Sequence, residues 1–149
     1  MIFRFRIISS EVKNFVRDIE IQSNQSFYDF HLALTKNFHY DNSQLASFFI
    51  SNEQWEKLIE ITLFDMSEGN SPDIRIMDKT KLDEFLHETR QRLLYVFDYF
   101  NERLLFIELI EIHTEKAGIS YPQITRAEGA PPPQLLILDN FIDDPDFDE

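Results

Sequence analysis

The chain has 149 residues, no cysteine, three glycines, and 27 acidic against 14 basic residues, for a net charge of −13. That length fits one domain. The composition excludes disulfides, thiolate metal sites and thiol nucleophiles, and it is too glycine-poor for a phosphate-cradling loop. It also argues against a nucleic-acid partner, because backbone-driven binding needs clustered Lys and Arg. The aromatic content is high, with 15 Phe beside 1 Trp and 5 Tyr.

Residues 2–8 alternate, with Phe3, Phe5 and Ile7 on one side and Arg4 and Arg6 on the other. Residues 15–22 alternate again, with Phe15, Ile19 and Ile21 opposed to Asp18 and Glu20. A hairpin whose paired numbers sum to 24 sets Arg6 against Asp18, Arg4 against Glu20, Phe5 against Ile19 and Phe3 against Ile21. A slip of one residue destroys both the charge and the apolar pairing, so this register is expected. The N-terminus has no continuous apolar run of the signal-peptide kind. The longest apolar stretches carry Asp98 and Glu108 and fall short of the roughly 20 residues a membrane helix needs. A soluble cytoplasmic protein without membrane contact is expected.

Ser26 with Asp29 three residues later forms a capping-box pattern, and Phe27, Phe30, Leu34 and Phe38 follow at helical spacing with His31 at the edge of their stripe. Residues 45–50 and 59–63 read as strands, and residues 67–72 as a loop. Thr80 with Asp83 repeats the capping pattern and predicts a second helix, fading near Gln91. Residues 93–100 and 104–113 are dense in apolar residues around Asn101-Glu102 and predict a hairpin with pairs summing to about 203, placed centrally in the sheet. In that register Asp98 and Glu108 are offset diagonally, and alternation puts Glu111 on the opposite face from Glu108.

After Gly118 the pattern dissolves into Tyr121-Pro122 and Ala130-Pro131-Pro132-Pro133, which predict extended backbone on the surface. Residues 139–149 hold six acids and no base, nearly half of the net charge. The expected fold class is α+β, with a mostly antiparallel or mixed sheet of about five to six strands and two helices packed on it. One domain over residues 1–133 is expected, followed by an acidic, partly disordered tail over 134–149.

The ordered motifs resemble those of the plasmid pRiA4b open-reading-frame-three-like family, in particular its Bacteroidetes branch. They are Arg17-Asp18-Ile19, Asp29-Phe30-His31, residues 46–51, Trp55-Glu56-Lys57, Tyr95-Val96-Phe97-Asp98, Tyr121-Pro122 and residues 127–132. The resemblance spans roughly residues 1–133. It implies an α+β fold in a family of small uncharacterised bacterial proteins, some linked to mobile elements, and it supplies no activity. Three family features are replaced. Tyr99-Phe100-Asn101 follows Asp98 where an Asp-Phe-Gly-Asp run is typical. Pro133-Gln134 follows Pro131-Pro132 where an acidic and cysteine-containing run is typical. Phe15-Val16 stands where the second strand usually carries Trp.

No catalytic residue, metal site or cofactor is expected. The four histidines include no pair at metal-ligand spacing. Asp98, Glu108 and Glu111 lack a nucleophile beside them, no serine lies in a nucleophile elbow, and Asp18 and Glu20 are on hand to neutralise Arg4 and Arg6. The candidate binding residues are His31, Trp55, Asp98, Glu108, Leu136 and Phe141. The leading expectation is a non-enzymatic interaction module using its apolar and acidic tail on a protein partner. The alternatives are a ligand-binding protein or enzyme with a polar cleft near Asp98, and a DNA-related mobile-element protein. The sequence leaves the oligomeric state open.

Overall fold

The alternation at the N-terminus produces an antiparallel hairpin of β1 (Ile2–Ile8) and β2 (Val16–Gln22). Its register is the one that satisfies both faces: Arg6 opposite Asp18, Arg4 opposite Glu20, Phe5 opposite Ile19 and Phe3 opposite Ile21. The computed structural model describes residues 1–66, 69 and 74–136. The hairpin is followed by helix α1 (Phe27–Phe38), then β3 (Ser47–Ser51), β4 (Lys57–Thr62), β5 (Arg75–Ile76), β6 (Arg92–Asp98), β7 (Arg103–His113) and β8 (Gln123–Glu128). All eight strands belong to one sheet in the order β5-β4-β3-β6-β7-β1-β2-β8, antiparallel except for the β4–β5 pair. The apolar hairpin β6–β7 takes the centre.

The expected α+β layout of five to six strands and two helices is therefore wrong: among the described residues one α-helix serves an eight-stranded sheet. Two strands escape sequence reading because one has only two residues and the other, β8, lies between proline-containing segments. The second helix expected from Thr80 fails for a local reason. The Thr80 hydroxyl donates to the Ile76 carbonyl at 2.8 Å, so it does not cap. The amides of Leu82 and Asp83 donate to the carbonyls of Gln25 and Ser23 in the connection between β2 and α1. Two short 3₁₀ turns, Met77–Lys79 and Leu82–Glu84, result. Arg90 then takes a left-handed φ of 78°, and the Gln91 side chain accepts from the amides of His87 and Glu88, which closes a turn where helix was expected.

The central hairpin also departs from its expected register. Pairs from Arg92–Glu108 to Val96–Leu104 sum to 200: the turn over residues 99–102 sets Asp98 opposite Arg103, and a register shift between Val96 and Asp98 takes up one further residue. Asp98 sets this length: its carboxylate accepts from the Asn101 backbone and side-chain nitrogens and from Arg103. A β-bulge in β7 moves the partner of Arg4 to Glu111 while Phe5 faces Leu109. The extra residue reverses the alternation, so Glu111 shares a face with Glu108, contrary to the sequence expectation.

Helix α1 begins as its sequence dictates. The Ser26 hydroxyl accepts from the Asp29 amide, and the Asp29 carboxylate accepts from the Ser26 amide, both at 3.0 Å. It ends at His39 in the left-handed region, φ 60°. Its buried stripe covers one face of the sheet through stacked rings: Phe30 lies 4.7 Å from Phe5 and 5.2 Å from Phe48, and Phe48 lies 4.8 Å from Tyr95. Those contacts bind α1 to β1, β3 and β6 together. Full burial of such a ring contributes about 2–3 kcal/mol before the cavity cost of its removal.

Phe30→Ala should lower the unfolding free energy by about 3–5 kcal/mol. Phe100→Ala, at a ring 89% exposed in the β6–β7 turn, should change it by less than about 0.5 kcal/mol. Urea unfolding of the two variants checks this; comparable losses would contradict the assignment of the ring column as core.

Candidate functional site

The residues singled out from the sequence separate into three places. His31 is buried in the core. Its Nε2 lies 2.8 Å from the Asn42 carbonyl and must donate there, which leaves Nδ1 to accept from the Tyr95 hydroxyl at 2.8 Å. Burial pushes the imidazole below its ordinary pKa, partly offset by the Asn42 carbonyl. Asp98 closes the β6–β7 turn and pairs with Arg103 at 3.3 Å. Arg103 also binds Glu11 at 2.8 Å and donates to the carbonyls of Pro133 and Gln134, pinning the proline-rich segment, to which Tyr40 adds a bond at the Pro132 carbonyl. Leu136 ends that segment half exposed, and Phe141 lies outside the described residues.

Among the described candidates only Trp55 and Glu108 come together, on the sheet face away from α1. The β3–β4 turn is wound around Asn52, whose side-chain oxygen accepts from the amides of Gln54 and Glu56. Trp55 occupies a left-handed position at φ 62°. Its ring packs edge-on to Phe106 at 4.9 Å and carries the Arg92 guanidinium at 4.5 Å, and Arg92 lies 3.6 Å from Glu108. A small cavity of about 160 Å³ opens beside them.

The same face carries a belt of charge across β2, β1 and β7. Asp18 is fully buried and accepts from Arg4 at 3.0 Å and from Arg6 at 2.8 Å through two nitrogens. Burial alone would raise its pKa; the two guanidiniums outweigh burial and hold the carboxyl below its usual range. Glu20 turns the other way, accepting from Gln123 at 2.7 Å and lying 2.8 Å from His113 Nε2. Glu111 lies 3.8 Å from the same nitrogen. The ligand-capable atoms of Glu20, Glu111 and His113 all lie within 4.8 Å of one another, a grouping absent from the sequence reading because it depends on the β7 bulge.

A roomier cleft, about 540 Å³, opens between α1 and the start of β8. Ile19, Ala33, Pro122 and Ile124 supply apolar lining, and Lys36, Asn37, His39, Ser120, Tyr121 and Gln123 supply polar groups. Among the described residues Lys36 has no ion-pair partner. The sequence points to this cleft only indirectly, since its walls lie more than 80 residues apart in the chain.

The sequence profile of the plasmid pRiA4b ORF-3-like proteins matches residues 2–135. The chain belongs to this family. Among solved structures it is similar to a crystal structure of a protein of unknown function from Methanosarcina mazei Go1. The TM-score is 0.68 at 19% identity, over 85% of this chain and 68% of that one, a likeness of fold. No curated protein matches the chain. Several motifs that carry the family resemblance turn out to tie this family member's fold together. Arg17 donates to Asn37 of α1 at 2.6 Å and to the Glu128 carbonyl of β8 at 2.9 Å, His31 bonds Tyr95, and the Pro132 carbonyl accepts from Tyr40. Among the described residues no helix is long and apolar enough to cross a membrane.

The His31 tautomer has a consequence for pH dependence. Its folded pKa is depressed, so the unfolded chain binds the proton more readily, and the stability contributed by neutral His31 is lost as pH falls below about 6.5. Unfolding free energy measured at pH 7.5 and 5.5 should fall more for the parent chain than for His31→Gln, by up to about 1.4 kcal/mol per pH unit below that point. Parallel profiles would contradict this account.

Proposed function

We propose that this member of the family is a binding module rather than an enzyme, and that it holds a small organic anion in the cleft between α1 and β8. The observation that carries this reading is the cleft itself. Its volume lies in the range of small-molecule sites, and it combines apolar lining with a few polar groups. Lys36 lines the cleft and is one of the cations for which the described residues offer no counter-ion. Asn37 is already oriented by Arg17, and Tyr121 accepts from the Lys116 amide at 3.3 Å, so two polar groups of the wall are held in place before any ligand arrives. Against catalysis stands the dispersal of the polar candidates: His31 is sealed in the core, Asp98 closes a turn, and Glu108 faces the far side of the sheet.

A mobile-element role on DNA is disfavoured by the net charge of −13 and by the commitments of six of the fourteen basic residues. Arg4, Arg6, Arg17, Arg92, Arg103 and Arg126 are all spent on carboxylates, a side-chain amide oxygen or backbone carbonyls. A protein partner engaged by the C-terminal tail is a second reading. It is favoured by the exposed Leu135 and Leu136, which follow directly on the segment pinned by Arg103 and Tyr40.

Saturation-transfer NMR on the full chain, with a panel of small carboxylates and phosphate monoesters, tests the cleft. Binding should be seen for some members and should fall at least tenfold in both Lys36→Glu and Ala33→Phe, each with an unchanged circular dichroism spectrum. No binding by any member, or binding that ignores both substitutions, would overturn the proposal. For the tail reading, partner recovery by the full chain should exceed that by a chain ending at Pro133, and equal recovery would count against it.

A further inference from the structure

We propose that Glu20, Glu111 and His113 form a site for a divalent transition-metal ion of the zinc or manganese class on the open face of the sheet. This goes beyond the anion cleft and does not depend on it.

The backbone creates the site. Glu111 and His113 sit two residues apart on β7 and project from one face, and the bulge between Leu109 and Glu111 makes that the open face. Glu20 reaches the same point from β2, across β1, where both Glu20 and Glu111 are register partners of Arg4. Three groups from two non-adjacent strands thus converge with their ligand-capable atoms within 4.8 Å of one another.

The imidazole geometry is the independent observation that separates this trio from a mere acidic cluster. His113 Nδ1 lies 2.8 Å from the carbonyl of Thr114, an acceptor only, so Nδ1 carries a hydrogen and donates it. In the neutral ring Nε2 then presents a lone pair. That lone pair faces one carboxylate oxygen of Glu20 at 2.8 Å and one of Glu111 at 3.8 Å. A cation among these three atoms satisfies all of them at once: a proton on Nε2, which makes the 2.8 Å approach to Glu20 an ion pair, or a metal ion that displaces that proton. A ring nitrogen donating to a backbone carbonyl while its mate points at the ion is also how ligand imidazoles are oriented in metal sites.

The first carboxylate is held equally firmly. Glu20 is 6% exposed, and Gln123 donates to its other oxygen at 2.7 Å, which leaves Oε2 for the ion. Glu111 is the exposed member and adjusts without disturbing the core. Arg4 lies 3.9 Å from Glu111, but one of its terminal nitrogens is committed to the buried Asp18 at 3.0 Å. Two carboxylates and one imidazole match the charge of a divalent ion and the nitrogen–oxygen preference of zinc or manganese. Calcium and magnesium, which take oxygen ligands, fit less well.

Two measurements on the full chain test the site. Titration calorimetry with zinc chloride should show one saturable equivalent that weakens at least tenfold in His113→Gln and in Glu20→Gln. The absence of saturable binding, or equal binding by both variants, would overturn the proposal and leave a proton as the cation on Nε2. Manganese added to the isotope-labelled parent protein needs no variant to fold: amide signals of residues 20 and 111–114 should broaden first. Broadening confined to the acidic residues 139–149 would overturn the proposal, because it would place the ion on the tail.

Discussion

The column of stacked rings Phe5, Phe30, Phe48 and Tyr95 is the contact on which the rest of the molecule depends. An eight-stranded sheet has two faces to shield, and the described residues supply one α-helix. That helix succeeds because Phe30 stacks on rings from β1 and β3 at once, and because the column continues through Phe48 to Tyr95 on β6. The Tyr95 hydroxyl then returns to α1 by bonding His31. Two halves of the sheet that are far apart in sequence are thereby fastened to one element. The abundance of phenylalanine serves this geometry: large flat side chains let a narrow helix shield a wide surface, and edge or offset contacts add to area burial.

Covering one face leaves the other to polar chemistry. Along β1 the arginines at positions 4 and 6 would be a repulsive pair if unmatched. Asp18, fully buried between them, converts them into a fixed cluster. With Asp18 accepting from both arginines, Glu20 is released toward His113 and Gln123. The β7 bulge completes the pattern by turning Glu111 to the same side. The proposed metal site therefore follows from a sheet irregularity and from the division of carboxylates around two arginines. The cleft proposed to hold an anion lies elsewhere, at the C-terminus of α1, where the helix, the connection after β7 and the edge strand β8 meet.

The parts legible in the sequence are those governed by short-range alternation and capping. The β1–β2 register is written in the opposed Arg and Asp or Glu residues, and the start of α1 in Ser26 and Asp29. The centrality of β6 and β7 is written in their two apolar faces. What escaped reading depended on distant partners. The Thr80 hydroxyl looks like a cap until Ile76 takes it and the 80–83 backbone is committed to the β2–α1 connection. The turn at 99–102 looks shorter until Asp98 closes it. Glu111 looks outward from the wrong face until a bulge at Ile110 reverses its phase. Of the described candidate site residues, only Trp55 and Glu108 are neighbours, and that contact runs through Arg92, which sequence spacing did not implicate.

On this structure α1 and the strands it covers form one cooperative unit, with the ring column as the bond between them. Native-state hydrogen exchange in low denaturant measures this directly. Protected amides of α1, β1, β3, β6 and β7 should exchange with one common free energy equal to that of global unfolding, while the edge strands β5 and β8 open earlier. Amides of α1 exchanging at a distinctly lower free energy than those of β1 and β6 would contradict it, because the helix would then leave a sheet that stands without it.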